Sequence, residues 1–131
     1  MKSILLLLMT TIVSFAHADI TFFEQVQGKT IVGQSIENIT TQYEFSADGK
    51  LVVLKKNTGY THTFVKMIGD IAVYKGNRGG KVHYDAFQIN DGGVLLTSSD
   101  QIGGVKLKPN TPEQIALELT KKGLNFTFQQ K

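Results

Sequence analysis

His62, His83 and Asp85 are the side chains best suited to chemistry in this chain. His83 and Asp85 stand two apart, and His62 shares its alternate positions with Tyr60, Phe64 and Lys66. On extended backbone, side chains two apart point to one side. Two imidazoles and a carboxylate make an N,N,O metal donor set, and a buried group of Asp85, His83 and a tyrosine would suit acid–base chemistry. The stretch "IAVYKG" should form a strand between the two histidines. Two strand spacings then hold them roughly 10 Å apart, too far for shared ligation. No metal site and no cofactor is expected.

The second candidate is "YKGNRGGKVHYD", Tyr74 to Asp85, where three glycines surround Arg78, the chain's one arginine. A phosphate cradle aims backbone N–H groups at the anion and normally feeds a helix N-terminus. The next stretch, "KVHYDAFQI", alternates and carries aromatic and β-branched residues, as a strand does. The segment reads as a strand, a turn and a strand, with a basic lip of Lys75, Arg78 and Lys81. The carboxylates are scattered, several of them on turns or helix surfaces, and no serine sits in a Gly-x-Ser-x-Gly elbow. A non-enzymatic protein is expected. Aromatic residues are the remaining resource. Tyr43, Tyr60, Tyr74 and Tyr84 combine apolar bodies with hydroxyl handles, and Phe64 adds a purely apolar ring. With Arg78 at a loop tip they form the candidate ligand-binding set, provided that a cavity exists. The other reading of these aromatics is core packing, since a small barrel is readily filled by its own side chains.

These residues need a scaffold, and the sequence describes one. Lys2, the apolar run "ILLLLMTTIVSF" and Ala16-His17-Ala18 have the pattern of a secretory signal peptide cleaved after Ala18. The run is about a dozen residues, too short for a helix to span a bilayer. The expected product is residues 19–131, one domain, periplasmic or secreted, with no membrane span after cleavage. The full chain has a net charge of +3, and cleavage removes Lys2 alone of the charged residues. So mild a balance gives no footprint for nucleic-acid binding. There is no cysteine, which excludes disulfide staples, thiol catalysis and cysteine-ligated zinc.

Most of residues 19–131 reads as short strands. In "ENITTQYEFSADGK", Ile39, Thr41, Tyr43 and Phe45 alternate with Thr40, Gln42 and Glu44, and Asp48-Gly49 suits a hairpin turn with paired positive φ. "KLVVLKK", "YTHTFVKMI", "IAVYKG", "KVHYDAFQI" and "VLLTSS" come next, with turn signals about every ten residues. Two segments read as helices. "TFFEQVQG" offers Thr21 as cap, Glu24 three residues on, and Gly28 as the stop. "NTPEQIALELTKKG" offers Thr111 as cap, Pro112 at the first helical position, Gln114 to complete the box and Gly123 for a left-handed exit. Ile115, Ala116 and Leu119 share its apolar face. The last strand, "LNFTFQ", should pair with the first, "KTIVGQ", and close the sheet into a ring that leaves no open edge.

An N-terminal helix leading to "VQGKTIV", an up-and-down meander, a helix and a last strand resemble the calycin group, lipocalin-like small barrels in particular. Gly28-Lys29-Thr30 stands where that group has Gly-x-Trp, with threonine in place of the tryptophan. The resemblance implies an all-β, up-and-down antiparallel barrel of about eight strands. It also implies a binding protein that holds a small apolar or amphipathic ligand in the barrel. The alternative is a secreted or periplasmic protein–protein interaction or inhibitor module acting through its loops.

Overall fold

A computed structural model describes residues 21–35, 38–55, 59–78, 81–98 and 111–130, and for Arg78 and Lys81 the backbone only. The proposed leader, residues 1–18, lies outside the described residues.

Eight strands in chain order form one closed antiparallel barrel: β1 Thr30–Gln34, β2 Thr40–Phe45, β3 Leu51–Lys55, β4 Tyr60–Ile68, β5 Ile71–Arg78, β6 Lys81–Asn90, β7 Gly93–Ser98 and β8 Leu124–Phe128. The expected ring closure is present: β8 pairs with β1, Ile31 opposite Phe128 and Gly33 opposite Phe126. Closure brings the rings of β8 against β1, and Gly33 makes this approach feasible. A Cβ there would lie 2.7 Å from Cγ of Phe126 and 2.9 Å from the Asn125 carbonyl oxygen.

Period-2 alternation decides what lies inside. Ile31, Tyr43, Phe45, Val52, Leu54, Ala72, Tyr74, Phe87, Val94, Leu96 and Phe126 form one buried core. Strand β4 breaks strict alternation with a bulge between Phe64 and Lys66. The extra residue, Val65, is left on the surface, and Phe64 and Met67 both pack against the core despite being three apart. Bulges re-aim side chains in this way.

Residues 21–26 form helix α1, which caps one end of the barrel. Phe22 and Val26 are buried in the barrel core, and the Gly28 N–H donates to the Ser46 carbonyl in the β2–β3 connection. Gly28 has φ +68° and ends the helix as expected. Thr21 does not cap it: the residue is already helical, and its buried hydroxyl has no hydrogen-bond partner among the described residues. Asp48-Gly49 also differs from a two-residue turn. Only Gly49 has positive φ, at +78°, and the loop runs from Ser46 to Lys50. Asp48 organises it by accepting from the Lys50 N–H at 2.9 Å and the Ser46 hydroxyl at 2.7 Å.

Helix α2, Pro112–Lys121, begins as its sequence dictates, with the Thr111 side chain accepting from the Gln114 N–H and Pro112 in the first turn. Ile115, Ala116 and Leu119 pack on the outer wall against Ile71, Val73, Tyr84 and Ala86. The chain leaves α2 without a left-handed residue at Gly123. That glycine instead sits in a close fit, since a Cβ would lie 3.1 Å from Leu95 and 3.2 Å from Leu119.

Candidate functional site

The aromatic set divides into three environments. Tyr43 and Tyr74 are sealed in the core, 2% and 0% exposed. Tyr43 meets Phe87 and Phe126 edge-on, with centroids 5.6 and 5.7 Å apart. Tyr74 meets Phe45, Phe64 and Phe87 likewise. Its hydroxyl donates to the Gly49 carbonyl, tying β5 to the loop against which α1 packs. T-shaped contacts at these separations are the favoured aromatic geometry, and they fill the α1 end of the barrel. Phe64 and Tyr60 are half-buried at the edge of this core. Tyr84 lies outside the barrel, beneath α2. Its β6 neighbours His83 and Asp85 take the inner face, and Tyr84 itself is opposite the exposed Lys75. Arg78 ends β5 in register with Lys81. The five aromatics therefore do not line a common cavity.

A different association is present inside. Moving away from α1, β6 carries Phe87, then Asp85, then His83 on its inner face, and β5 carries Ala72, Tyr74 and Gly76. His62 on β4 meets Asp85 Oδ2 through its Nδ1, and both side chains are fully buried. The two belong to strands separated by β5. Gly76 makes the crossing possible. A Cβ on Gly76 would lie 1.9 Å from His62 Cδ2 and 2.6 Å from Nε2, so the imidazole occupies the space that a side chain would take. Ser98 on β7 is in register with Asp85, placing a buried hydroxyl on the same face. A carboxylate at Nδ1 fixes the tautomer and orientation of an imidazole. With both groups sealed from solvent, the couple acts as an internal tie across three strands. The expected separation of His62 and His83 concerns backbone spacing, and the His62–Asp85 couple gets round that spacing through the missing side chain of Gly76. Among the described residues, no three His, Asp or Glu side chains are grouped closely enough to hold a metal ion.

The surface has a distinct feature on the other side of the same strands. An open groove of about 590 Å³ runs over β4, β5 and the start of β6, lined by Thr61, Thr63, Phe64, Val65, Lys75, Gly76, Asn77 and Val82. Val65 and Val82 are 41% and 49% exposed. Lys75 is the charged residue of this lining, which contains no carboxylate. On the neighbouring walls, Lys55 pairs with Glu44 at 3.3 Å and Lys66 with Glu113 at 2.8 Å. The Lys66 ammonium, by hydrogen bonding, holds the Glu113 carboxyl below its usual range. Lys75 makes no ion pair among the described residues. The sequence placed Lys75 in a basic lip but gave no sign of the groove, which includes the bulged Val65.

No helix among the described residues is long and apolar enough to cross a membrane. Compared with known proteins, the chain matches no family model, no curated protein and no solved structure.

Proposed function

We propose that the protein is an exported, non-enzymatic binding module that acts from the outer surface of its barrel. The observation that carries this reading is the aromatic packing at the α1 end of the barrel. Tyr43, Phe45, Tyr74, Phe87 and Phe126 are each at most 2% exposed and pack against one another at the α1 end. Small-molecule sites are concave and mostly apolar, and here the α1 end of the interior is taken up by the protein's own rings. An open groove remains on the wall. Export rests on Lys2, the apolar run and Ala16-His17-Ala18. The lipocalin-like element order, helix then eight-strand barrel with a helix before the last strand, supports a binding role without requiring a hollow core.

Native mass spectrometry of the protein purified from its own host tests this directly. The expected species is bare polypeptide beginning at Asp19. A stoichiometric lipid or metabolite retained after desalting would overturn the surface reading in favour of a ligand carried inside the barrel. An N-terminus at Met1 would overturn the export assignment.

A further inference from the structure

The groove on β4–β6 has a chemistry that selects its occupant. Its floor combines donors and short apolar walls: hydroxyls of Thr61 and Thr63, the ammonium of Lys75, and the side chains of Val65 and Val82. Thr61, Thr63 and Val65 lie along one strand, spanning roughly 13 Å at strand rise. That length suits a short extended segment of four or so residues. The electrostatics have one sign. Lys75 has no carboxylate beside it in the lining, whereas Lys55 and Lys66 are each neutralised by a glutamate. The nearest acidic residue along β6, Asp85, is fully buried and committed to His62. Among the described residues, the Lys75 ammonium is thus left for a partner.

We infer that this groove docks an extended acidic segment of a partner protein, with a carboxylate at Lys75 and an apolar side chain between Val65 and Val82. The inference rests on the surface-binding reading above and adds the class of partner. An open, shallow groove flanked by exposed valines is better matched to a peptide lying across it than to a small molecule, which needs enclosure to bury most of its surface. Electrostatic complementarity would set orientation and association rate, and the apolar contact would supply most of the remaining affinity.

The test uses the whole folded protein, isotopically labelled, titrated with the hexapeptide Glu-Val-Glu-Val-Glu-Val and separately with Lys-Val-Lys-Val-Lys-Val. Amide shifts are expected at Thr61, Thr63, Val65, Lys75, Asn77 and Val82 with the acidic peptide and not with the basic one. Lys75→Glu, an exposed substitution, should leave the spectrum of the free protein folded and weaken binding roughly fivefold, the scale of an exposed ion pair. The inference is overturned by equal shifts with both peptides, by binding insensitive to Lys75→Glu, or by no shifts at all. It is also overturned if free glutamate at the same concentration reproduces the shifts, which marks a small-anion site. Concentration-dependent shifts without peptide would assign the face to a second copy of the chain, again overturning it. Shifts confined to other outer residues defeat the groove and leave the surface reading intact. A metabolite retained in native mass spectrometry defeats the surface reading itself.

Discussion

Replacing Gly76 by alanine should be among the most damaging single changes in the barrel, and the damage should vanish when His62 is already gone. The new Cβ would sit 1.9 Å from His62 Cδ2, well inside van der Waals contact. The imidazole must leave, and Asp85 then loses its partner while fully buried. Removing one member of a buried polar couple leaves the other without its partner, which costs about 1–3 kcal/mol, and more where that group is charged. Against a typical stability of about 5–15 kcal/mol, that is a large share. His62→Ala should cost a similar amount for the same reason. In the double variant the alanine methyl at position 76 enters space vacated by the ring. The second substitution should then cost less than about 1 kcal/mol, or help slightly, since alanine is favoured over glycine within a strand by about 0.5–1 kcal/mol. Urea unfolding of wild type, the two single variants and the double variant measures all four corners of this cycle. Additive losses would refute the crossing of β5 by the imidazole. So would a Gly76→Ala loss below about 1 kcal/mol.

Three further outcomes rest on named contacts. Gly33→Ala should lower stability by about 1–3 kcal/mol, the cost of overpacking, because its Cβ meets both the Phe126 ring and the fixed Asn125 carbonyl; an unchanged melting temperature would contradict the tight β1–β8 seam. Tyr74→Phe should cost about 1 kcal/mol by leaving the Gly49 carbonyl without its hydroxyl donor, and hydrogen exchange should rise first in the Ser46–Lys50 loop. Asp48 should titrate below the usual aspartate range, because the Lys50 N–H and the Ser46 hydroxyl stabilise its charged form; a carboxyl with a depressed folded-state value stabilises the fold above its unfolded value and loses that contribution as pH falls through the folded one. Its effect therefore belongs below about pH 4, and a carbon-detected titration of Asp48 at or above the usual value would contradict the loop geometry.

The barrel was legible because its strands are bounded by turn residues and mostly alternate. Thr41, Tyr43 and Phe45 are buried in sequence, with Gln42 and Glu44 more exposed between them. Alternation failed where both sides are covered. On β6, Tyr84 and Ala86 face α2, while Asp85 and Phe87 face the core. All four are buried, so hydropathy alone could not say which side Tyr84 would take. The His62–Asp85 couple was hidden for another reason. Strand spacing fixes backbone distances, and what shortened the gap was a side chain that is missing at Gly76. A glycine inside an otherwise regular strand is the available signal, because it often marks close approach by another group. Thr21 illustrates the limit of capping patterns: the spacing to Glu24 was correct, yet the helix already includes the threonine.

The pairing of β1 with β8 also constrains how the molecule comes into being. Ile31 finds Phe128 far along the chain, and such long-range pairing is slow, since the loop entropy must be surrendered before the contact rewards it. A nascent chain that has not yet released residues 124–128 lacks the strand that seals Gly33 against Phe126. Until then β1 and β7 present bare edges, and the aromatic core lacks Phe126, one of its walls. The barrel can therefore lock only once residues 124–128 are available, and until then these two edges must be kept from pairing with other strands.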